Sequence, residues 1–248
     1  MPKERIDKLL TDRGLAASRT KAQALVMAGV VLVDDKRVEK ASETYEPAAT
    51  IRLKGDSPEN KYVSRAGLKL ESALAEFSVD PTGYTCIDVG SSTGGFTDCL
   101  LHHGAAQVVC VDSGTNQLDW RIRNDSHVEV RENTNARFLS PADFDVTFDL
   151  AVMDVSFISV TKVMPAIVTL IKSDGQMIVL IKPQFEVGRA EVGKGGIVRD
   201  PEKQQRVVAE VNAYAESLGL DVCGVMDSPI LGAEGNKEFL AHYVRRRG

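Results

Sequence analysis

The feature that most constrains this 248-residue chain is the alternation of two kinds of segment after residue 62. Short apolar runs are typical of strands, and the longer amphipathic segments between them are typical of helices. We predict strands at residues 85–89, 108–112, 127–130, 148–154, 177–182, 221–225 and 238–245. We predict helices at residues 65–77, 160–171 and 201–218, among others. Such alternation indicates a doubly wound, mostly parallel α/β sheet of Rossmann-like type. The last strand has no helix before it, so we expect it to be antiparallel.

The first 62 residues show a different pattern. They contain two short amphipathic segments, of which the second has Ser18 as a good N-cap and ends at Gly29. Two short strand-like runs follow, at residues 30–33 and 50–53, and then comes the polar run GDSPEN. We therefore predict a small α+β domain at residues 1–54, a linker at 55–62 and the α/β domain at 63–248.

Charge and composition limit the kinds of protein this can be. The net charge is −5, but residues 1–62 carry twelve basic and ten acidic side chains, whereas the rest carries eighteen and twenty-five. A local basic surface matters more for phosphate binding than the total charge. No run approaches the ~20 apolar residues that span a bilayer. The four cysteines lack Cys-x-x-Cys spacing, so we interpret them as reduced thiols of a cytoplasmic protein.

A glycine-rich loop, DVGSSTGGF at residues 88–96, follows the first predicted strand and opens a helix. Glycines at this place allow a tight turn and the close approach of a ligand. The next strand ends at Asp112, where a carboxylate can accept hydrogen bonds from both hydroxyls of a ribose. A nicotinamide cofactor would also fit, but the spacing of Gly90, Gly94 and Gly95 is not G-x-G-x-x-G. A second glycine run at 188–194 resembles a P-loop but lacks its Ser or Thr, so we exclude ATP binding there.

Four charged residues are predicted to meet near this loop. Asp154 and Lys182 each end a predicted strand, and ligands of doubly wound sheets bind at that edge. Glu238 begins the antiparallel strand and should therefore lie at the same edge. Lys69 lies on the helix that enters the domain, one turn after Arg65. Each could be an ordinary strand-end charge, but four of them beside a nucleotide loop favour a catalytic set.

Together, these residues resemble the TlyA family, whose members join an S4 RNA-binding domain to an FtsJ-like class I methyltransferase domain and are often labelled haemolysins. The S4-like pattern covers residues 5–33, and the signature segments of the second domain are VSRAGLKL at 63–70, the 88–96 loop, DVSF at 154–157 and IKPQFE at 181–186. The resemblance spans essentially the whole chain. It implies an S-adenosylmethionine-dependent ribosomal RNA 2′-O-methyltransferase, expected to act on a cytidine ribose of ribosomal RNA or of a ribosomal subunit.

The resemblance also implies site residues. The Lys-Asp-Lys-Glu set of FtsJ-like enzymes falls on Lys69, Asp154, Lys182 and Glu238. The cofactor-binding residues are expected to be Asp88, Gly90, Ser91, Gly94, Gly95, Phe96, Asp112 and Asn135. The RNA-binding residues are expected to be Arg5, Lys8, Arg19, Lys21 and Arg65. No metal ligands are expected, and the protein is expected to be a monomer or a weak dimer.

The chemistry of a ribose 2′-hydroxyl suits such a set. The hydroxyl is a poor nucleophile, and a lysine can act as its base only when neutral, which requires burial or a neighbouring positive charge. Lys182, at the end of a buried strand and with Lys69 nearby, could meet this condition. Three alternatives are less favoured. A membrane-active haemolysin has no spanning segment to support it, the intact set of four charged residues argues against an RNA-binding protein with an inactive enzyme domain, and the loop spacing argues against a nicotinamide oxidoreductase.

Overall fold

The computed structural model describes residues 3–16, 18–53 and 61–247. The chain divides into two compact units, Met1–Lys61 and Tyr62–Gly248. Residues 55–60 of the predicted linker lie outside the described residues, so the predicted domain boundaries stay predictions.

The first unit is small and has its own core. Its elements are β1 (Glu4–Arg5), α1 (Ile6–Asp12), α2 (Arg19–Met27), β2 (Val31–Val33), β3 (Lys36–Arg37), β4 (Thr44–Tyr45) and β5 (Ile51–Leu53). The strands form an antiparallel sheet in the order β3-β2-β5 and a separate antiparallel pair of β1 with β4. Apolar residues of both helices, such as Leu10 and Val26, pack against Val31 and Val33. As predicted, the Ser18 side chain caps α2 by accepting a hydrogen bond from the Lys21 amide.

The second unit is the predicted α/β domain. Its helices are α3 (Ala66–Glu76), α4 (Gly95–His102), α5 (Trp120–Arg123), α6 (Met164–Leu170), α7 (Pro183–Glu186) and α8 (Pro201–Ser217). Its strands are β6 (Thr85–Val89), β7 (Gln107–Val111), β8 (Val128–Arg131), β9 (Phe148–Met153), β10 (Ile171–Ile181), β11 (Leu220–Asp227) and β12 (Phe239–Arg245).

These seven strands form one sheet in the order β11-β12-β10-β9-β6-β7-β8. The five strands from β10 to β8 are parallel, and β12 runs antiparallel between β10 and β11, as predicted for the last strand. Alternate side chains of each strand enter two buried clusters, so that Ile87 belongs to one and Cys86 to the other. The sheet therefore has an apolar core on both faces, and ligands can reach it only at the ends of the strands.

Several predicted boundaries were wrong. The predicted helix at 160–171 is a 3-10 turn, Val160–Lys162, followed by α6, and β10 already begins at Ile171 rather than at residue 177. The early part of β10 is irregular, because its pairing with β9 shifts register between Ile171 and Gln176. The first amphipathic segment of the chain forms the helix α1, and the short strand β1 precedes it. The three two-residue strands were not predicted.

Candidate functional site

The 88–96 loop connects β6 to α4, and a buried carboxylate at its start binds the residue that follows its end. Asp88 is fully buried, and its Oδ2 accepts hydrogen bonds from the Thr97 amide (3.0 Å) and the Thr97 hydroxyl (2.6 Å). Its Oδ1 is buried with no hydrogen-bond partner, and Asp88 lines a cavity. Burial is the main cause that raises the pKa of Asp88 to about 7. Asp88 therefore has one carboxylate oxygen that is available to a cation or a hydrogen-bond donor.

Gly90 is a position in the loop where the backbone leaves no room for a side chain. Its φ is +84°, and a Cβ placed on it would lie 2.5 Å from the main-chain oxygen of Asp154. The loop after β6 and the loop after β9 therefore touch through their backbones. This contact also explains how Asp154 is fixed, because its amide donates to the Val89 oxygen at 2.9 Å.

Two adjoining cavities open at the carboxyl ends of the parallel strands. The smaller, of about 150 Å³, is lined by the 88–96 loop together with Asp154, Ser156 and Lys182. The larger, of about 520 Å³, extends along β7 and β8, where Asp112 and Asn135 lie on its wall. Gly90, Ser92, Asp154 and Ser156 line both cavities, so the two form one continuous cleft.

Asp112 is fixed at the mouth of the larger cavity by two backbone amides. Its Oδ2 accepts from the Ser92 amide at 2.8 Å, and its Oδ1 accepts from the Gly114 amide at 2.7 Å. Each carboxylate oxygen can accept a second hydrogen bond, so both remain able to receive a hydroxyl donor. The apolar side chains of Val111, Ala136 and others line the same cavity, as a flat aromatic base would require.

The four predicted charged residues form two separate ion pairs. The Nζ of Lys182 lies 2.5 Å from Asp154 Oδ1, and the Nζ of Lys69 donates to Glu238 Oε2 at 2.5 Å. All four side chains are largely buried, with exposed fractions between 2% and 18%. The sequence predicted that these four residues meet, and the structure shows which carboxylate is paired with which lysine.

Strand register brings the two pairs side by side. Ile181 of β10 pairs with Phe239 of β12, so continuing the antiparallel pairing by one residue places Lys182 opposite Glu238. Opposed residues of antiparallel strands have Cα atoms about 4.5–5.5 Å apart. The set thus meets at one edge, although only Asp154 and Lys182 line the described cavities. The positive charge of Lys69 is balanced by Glu238, so it assists Lys182 less than was expected from the sequence.

Ser156 is a candidate functional residue that was not predicted from the sequence. Its Oγ accepts a hydrogen bond from Lys182 Nζ at 2.8 Å, and it lines both cavities. Ser156 belongs to the DVSF segment at 154–157, two residues after Asp154. A polar side chain two residues beyond a strand-end carboxylate was the signal that could have identified it.

Glu186 fixes the loop that carries Ser156. The Glu186 carboxylate accepts from the Ser159 hydroxyl (2.6 Å) and from the Val160 amide (2.9 Å). Burial, the largest effect, raises the pKa of Glu186. The end of α7 is thereby tied to the loop after β9, and Phe157 of that loop has a φ of +65° and is 91% exposed. The ring centroids of Phe157 and Phe185 lie 5.2 Å apart.

The structure places seven of the eight predicted cofactor residues on the cleft. These are Asp88, Gly90, Ser91, Gly95, Phe96, Asp112 and Asn135. Gly94 is outside the described cavity walls; its φ is +91°, and a Cβ there would meet Leu118 and Ile122. Its part is therefore to start α4 with a left-handed turn rather than to line the cleft.

The predicted RNA-binding residues of the first unit differ in their ion pairs and in how exposed their side chains are. Arg5 and Arg19 both bind the buried carboxylate of Asp7, at 2.9 and 3.1 Å, yet each keeps about half of its side chain exposed. The hydrogen bond from Arg5 is the main cause that lowers the pKa of Asp7. Lys8 lies between Glu4 (3.1 Å) and Asp12 (3.8 Å), so its charge is largely compensated. Lys21 is exposed.

Neither membrane spans nor metal clusters are found in the described part of the chain. Within residues 3–16, 18–53 and 61–247, no helix combines the length and the apolarity needed to cross a bilayer. In the same ranges, no group of three or more His, Cys, Asp or Glu side chains is placed to hold a metal ion. The cysteines are free thiols, with Cys86, Cys99 and Cys110 buried and Cys223 exposed.

The fold and the cleft define a class of protein. A doubly wound sheet with β12 antiparallel between β10 and β11, a glycine loop after β6 and an acidic residue after β7 form a Rossmann-like, class I methyltransferase domain. Residues 62–245 match the FtsJ-like methyltransferase family, and residues 4–51 match the S4 domain.

Known proteins resemble the chain over nearly its whole length. It is 46% identical to YqxC of Bacillus subtilis, described as a candidate rRNA methyltransferase, over 97% of this chain and 85% of that protein. It is 44% identical to the 16S/23S rRNA (cytidine-2′-O)-methyltransferase TlyA of Mycobacterium tuberculosis, over 95% of this chain and 87% of that one. A solved structure of a Streptococcus thermophilus protein described as a hemolysin is 43% identical, with a TM-score of 0.75 over 100% of this chain and 90% of that one. The chain belongs to the FtsJ-like methyltransferase family, in its TlyA branch with an N-terminal S4 domain, and this family implies S-adenosylmethionine as the cofactor.

Proposed function

We propose that the protein is an S-adenosylmethionine-dependent ribosomal RNA methyltransferase that modifies the 2′-hydroxyl of a cytidine ribose. The observation that carries this proposal is Lys182, which is 8% exposed, lines the cleft, and has both Asp154 and Ser156 within hydrogen-bond distance of its Nζ. The named activity of the Mycobacterium relative supports the choice of substrate. The ribosomal substrate would in turn place the protein in the cytoplasm.

The residues of the cleft fit the proposed cofactor. S-adenosylmethionine has an ammonium group at one end, ribose hydroxyls in the middle and an adenine ring at the other end. The partnerless Asp88 Oδ1 is suited to the ammonium group, and Asp112 is suited to the ribose hydroxyls. The larger cavity, with Asn135 and apolar side chains on its wall, is suited to adenine. When bound, the cofactor supplies a methyl group that is already activated by its sulfonium sulfur.

Lys182 is the proposed base for the ribose hydroxyl. A neutral amine has two N–H groups and one lone pair. The Nζ of Lys182 donates to Ser156 Oγ at 2.8 Å and forms an ion pair with Asp154 Oδ1 at 2.5 Å, so two oxygens orient it. In the proposed reaction, the lone pair of an amine oriented by these two oxygens accepts the proton of the 2′-hydroxyl. A correctly positioned base contributes typically 10²–10⁴-fold to the rate. The remaining acceleration comes largely from alignment of the reacting groups.

Lys69 and Glu238 are proposed to act beside this base. Glu238 is 2% exposed and lies opposite Lys182 in the sheet, while its carboxylate holds Lys69. The pair adds a fixed dipole at the place where charge changes during proton transfer, and fixed dipoles in a buried site need no reorganisation during the reaction. We assign it to positioning the substrate hydroxyl and the base.

The S4 domain is proposed to supply RNA affinity. Arg5 and Arg19 share the carboxylate of Asp7, which aligns two exposed guanidinium groups next to each other. Each guanidinium group keeps N–H donors that Asp7 does not use, and these can form charge-assisted hydrogen bonds with phosphate oxygens. Lys8 is expected to contribute less, because two carboxylates already compensate its charge.

Mapping of ribose methylation tests the proposed function. Ribosomal RNA from cells with and without the gene would be mapped for 2′-O-methyl groups, and purified protein would be added to the unmethylated subunits with labelled S-adenosylmethionine. We expect at least one cytidine to lose its methyl group in the deletion strain and to regain it with the purified protein. Identical maps, together with no label transfer to either subunit, would contradict the proposal.

A further inference from the structure

The arginine side chains of the second unit divide into two groups. Most of them are held by a protein acceptor, as Arg121 is by Asp119 and Arg247 by Asp174. Among the arginines whose side chains the structure describes, every one except three contacts a carboxylate or a backbone carbonyl. The three exceptions, Arg65, Arg137 and Arg199, are exposed and make neither an ion pair nor a side-chain hydrogen bond within the described residues.

Arg65 lies directly before the helix that carries Lys69. It is the N-cap residue of α3, and its side chain makes no capping hydrogen bond. The next residue, Ala66, lines the smaller cavity. The backbone of Arg65 is therefore fixed at the rim of the cleft while its guanidinium group stays free.

Arg137 lies at the rim of the larger cavity. Its amide donates to Asn135 Oδ1 at 3.1 Å, and both Asn135 and Ala136 line that cavity. Its guanidinium carbon is 5.6 Å from the ring centroid of Phe138, which is 74% exposed. An exposed arginine next to an exposed aromatic ring offers one group for a phosphate and one for a base.

Arg199 is fixed through its neighbour Val198. The Val198 amide donates to Asn236 Oδ1 at 3.1 Å, and the Val198 oxygen accepts from Gln204 Nε2 at 2.7 Å. Asn236 is buried and stands two residues before Glu238. This clamp attaches the segment of Arg199 to the loop that leads into strand β12.

We propose that Arg65, Arg137 and Arg199 bind the phosphates of the RNA strand on both sides of the nucleotide to be methylated. This inference rests on the proposed function for the identity of the RNA, and it adds Arg137 and Arg199 to the contacts expected from sequence. Each of the three follows or precedes a residue of the cleft or of its supporting loops. Arg65 and Arg137 stand next to the cavity-lining residues Ala66 and Ala136, and Arg199 stands on the segment before α8 that is bound to the loop leading into Glu238 and β12.

Charge explains why such contacts are needed. Residues 63–248 carry eighteen basic and twenty-five acidic side chains, so this part of the chain repels a polyanion on average. An RNA strand can enter the cleft only where local cations outweigh that repulsion. Arginines of this unit that are paired with partly exposed acids, as Arg121 is with Asp119 and Arg247 with Asp174, offer little, because the neighbouring carboxylate compensates their charge at the surface. The free arginines are the ones able to form new bidentate contacts with phosphate.

Salt-dependent binding tests the proposal. The exposed Cys223 provides a labelling site, so that the full-length protein with fluorescein on this thiol can be titrated with purified 30S or 50S subunits by anisotropy. The subunits would come from cells that lack the gene, and KCl would be varied over about a fourfold range of concentration. Removal of one phosphate-binding side chain should flatten the log–log salt slope by about one unit, so the variant should lose roughly fourfold less affinity than the wild type across this range.

Charge-removing variants at five positions make the comparison specific. R65Q, R137Q and R199Q should each flatten the slope, while R121Q and R247Q, which remove arginines already paired with acids, should leave it at the wild-type value. R199K should largely restore the slope, because it restores the charge. Titration with S-adenosylmethionine should give wild-type affinity for all five, which shows that the cleft is intact.

Two results would overturn the proposal. One is a wild-type salt slope in R65Q, R137Q and R199Q. The other is an equally large change in the two control variants, because pairing would then not distinguish the arginines. Failure of the proposed function looks different: wild-type protein would bind subunits but transfer no methyl group to either of them, and the salt slopes would still show whether the three arginines bind phosphate.

Discussion

Replacing Lys182 by methionine is the sharpest test of the proposed chemistry. The substitution removes the amine but keeps a side chain of similar length and flexibility. It deletes the ion pair of the Nζ with Asp154 at 2.5 Å and its hydrogen bond to Ser156 at 2.8 Å, and leaves the rest of the cleft in place. Since a general base contributes at least ~100-fold, the barrier should rise by about 2.7 kcal/mol.

The same substitution also affects stability, and this has to be separated from the chemistry. Removing one partner of a buried ion pair costs ~3–5 kcal/mol when the other charge stays fully buried. The Asp154 side chain is 18% exposed, so water can reach it and the cost should be smaller. Lys172→Met is a matched control, because Lys172 lies on the same strand β10 and its Nζ pairs with Asp149 Oδ1 at 2.6 Å, outside the cleft.

Single-turnover methylation of saturating ribosomal subunits is the assay. We expect the Lys182 variant to be at least ~100-fold slower and to bind S-adenosylmethionine with an affinity close to that of the wild type. The Lys172 variant should react at the wild-type rate. If the Lys182 variant, shown to be folded by thermal unfolding, reacts as fast as the wild type, then Lys182 is not the base, and its two partners serve only to stabilise the fold.

Four further predictions follow from the contacts of the cleft and of the S4 domain. Asp112→Asn should weaken cofactor binding at least ~tenfold by calorimetric titration, because the amide nitrogen would face a backbone N–H donor in either orientation. Ser156→Ala should slow single-turnover methyl transfer about tenfold without changing cofactor affinity, because Lys182 loses one of its two partners. Burial raises the pKa of Asp88 to about 7, so this carboxyl is ionised above that pH and protonated below it. Affinity for the cationic amino group should then fall up to ~tenfold per pH unit below that pKa, and titrations of Asp88→Asn should lose this pH dependence. Arg19→Gln should flatten the salt slope of RNA binding by about one unit, whereas Lys8→Gln should change it less, and equal slopes for both variants would mean that the carboxylates around Lys8 do not compensate its charge.

The sequence predicted the fold because strand period and helix period are local properties. Apolar runs such as 148–153 and the glycine loop at 88–96 identified the parallel strands and the edge at which a ligand binds. The start of β10 was missed because residues 171–176, IKSDGQ, are mostly polar and resemble a turn. Asp174 has a φ of +66°, and the strand continues past it only because Ile171 pairs with Phe148 of β9. The start of β10 is therefore determined by its pairing with β9, which the local sequence pattern does not show.

The candidate site was predicted as a set of residues but not as a set of pairs. The ends of the strands placed Asp154 and Lys182 at one edge, yet nothing in the order of the residues assigns Lys182 to Asp154 and Lys69 to Glu238. That assignment depends on β12 lying between β10 and β11, which places Glu238 next to Lys182 while its carboxylate reaches α3. Lys69 was expected to raise the positive charge around Lys182. Because Lys69 is paired with Glu238, this effect is smaller than expected.

Counting charges in a sequence measures how many cations a domain has, but RNA binding depends on how many of them are free. The compensation of Lys8 is visible in sequence, because Glu4 and Asp12 each stand four residues from it, Asp12 on the same helix and Glu4 in the strand before it. The pairing of Arg19 with Asp7 spans twelve residues and two helices, so only the packed structure shows it. Here the pairing leaves about half of each arginine exposed and fixes its direction, which lowers the entropy lost when a phosphate binds. An ion pair can therefore either compensate a cation or orient it for RNA binding. The Asp7 carboxylate is fully buried, so it orients the arginines without presenting its own negative charge to an RNA strand. Glu4 and Asp12 are partly exposed, so their negative charges lie beside Lys8 at the surface and compensate it.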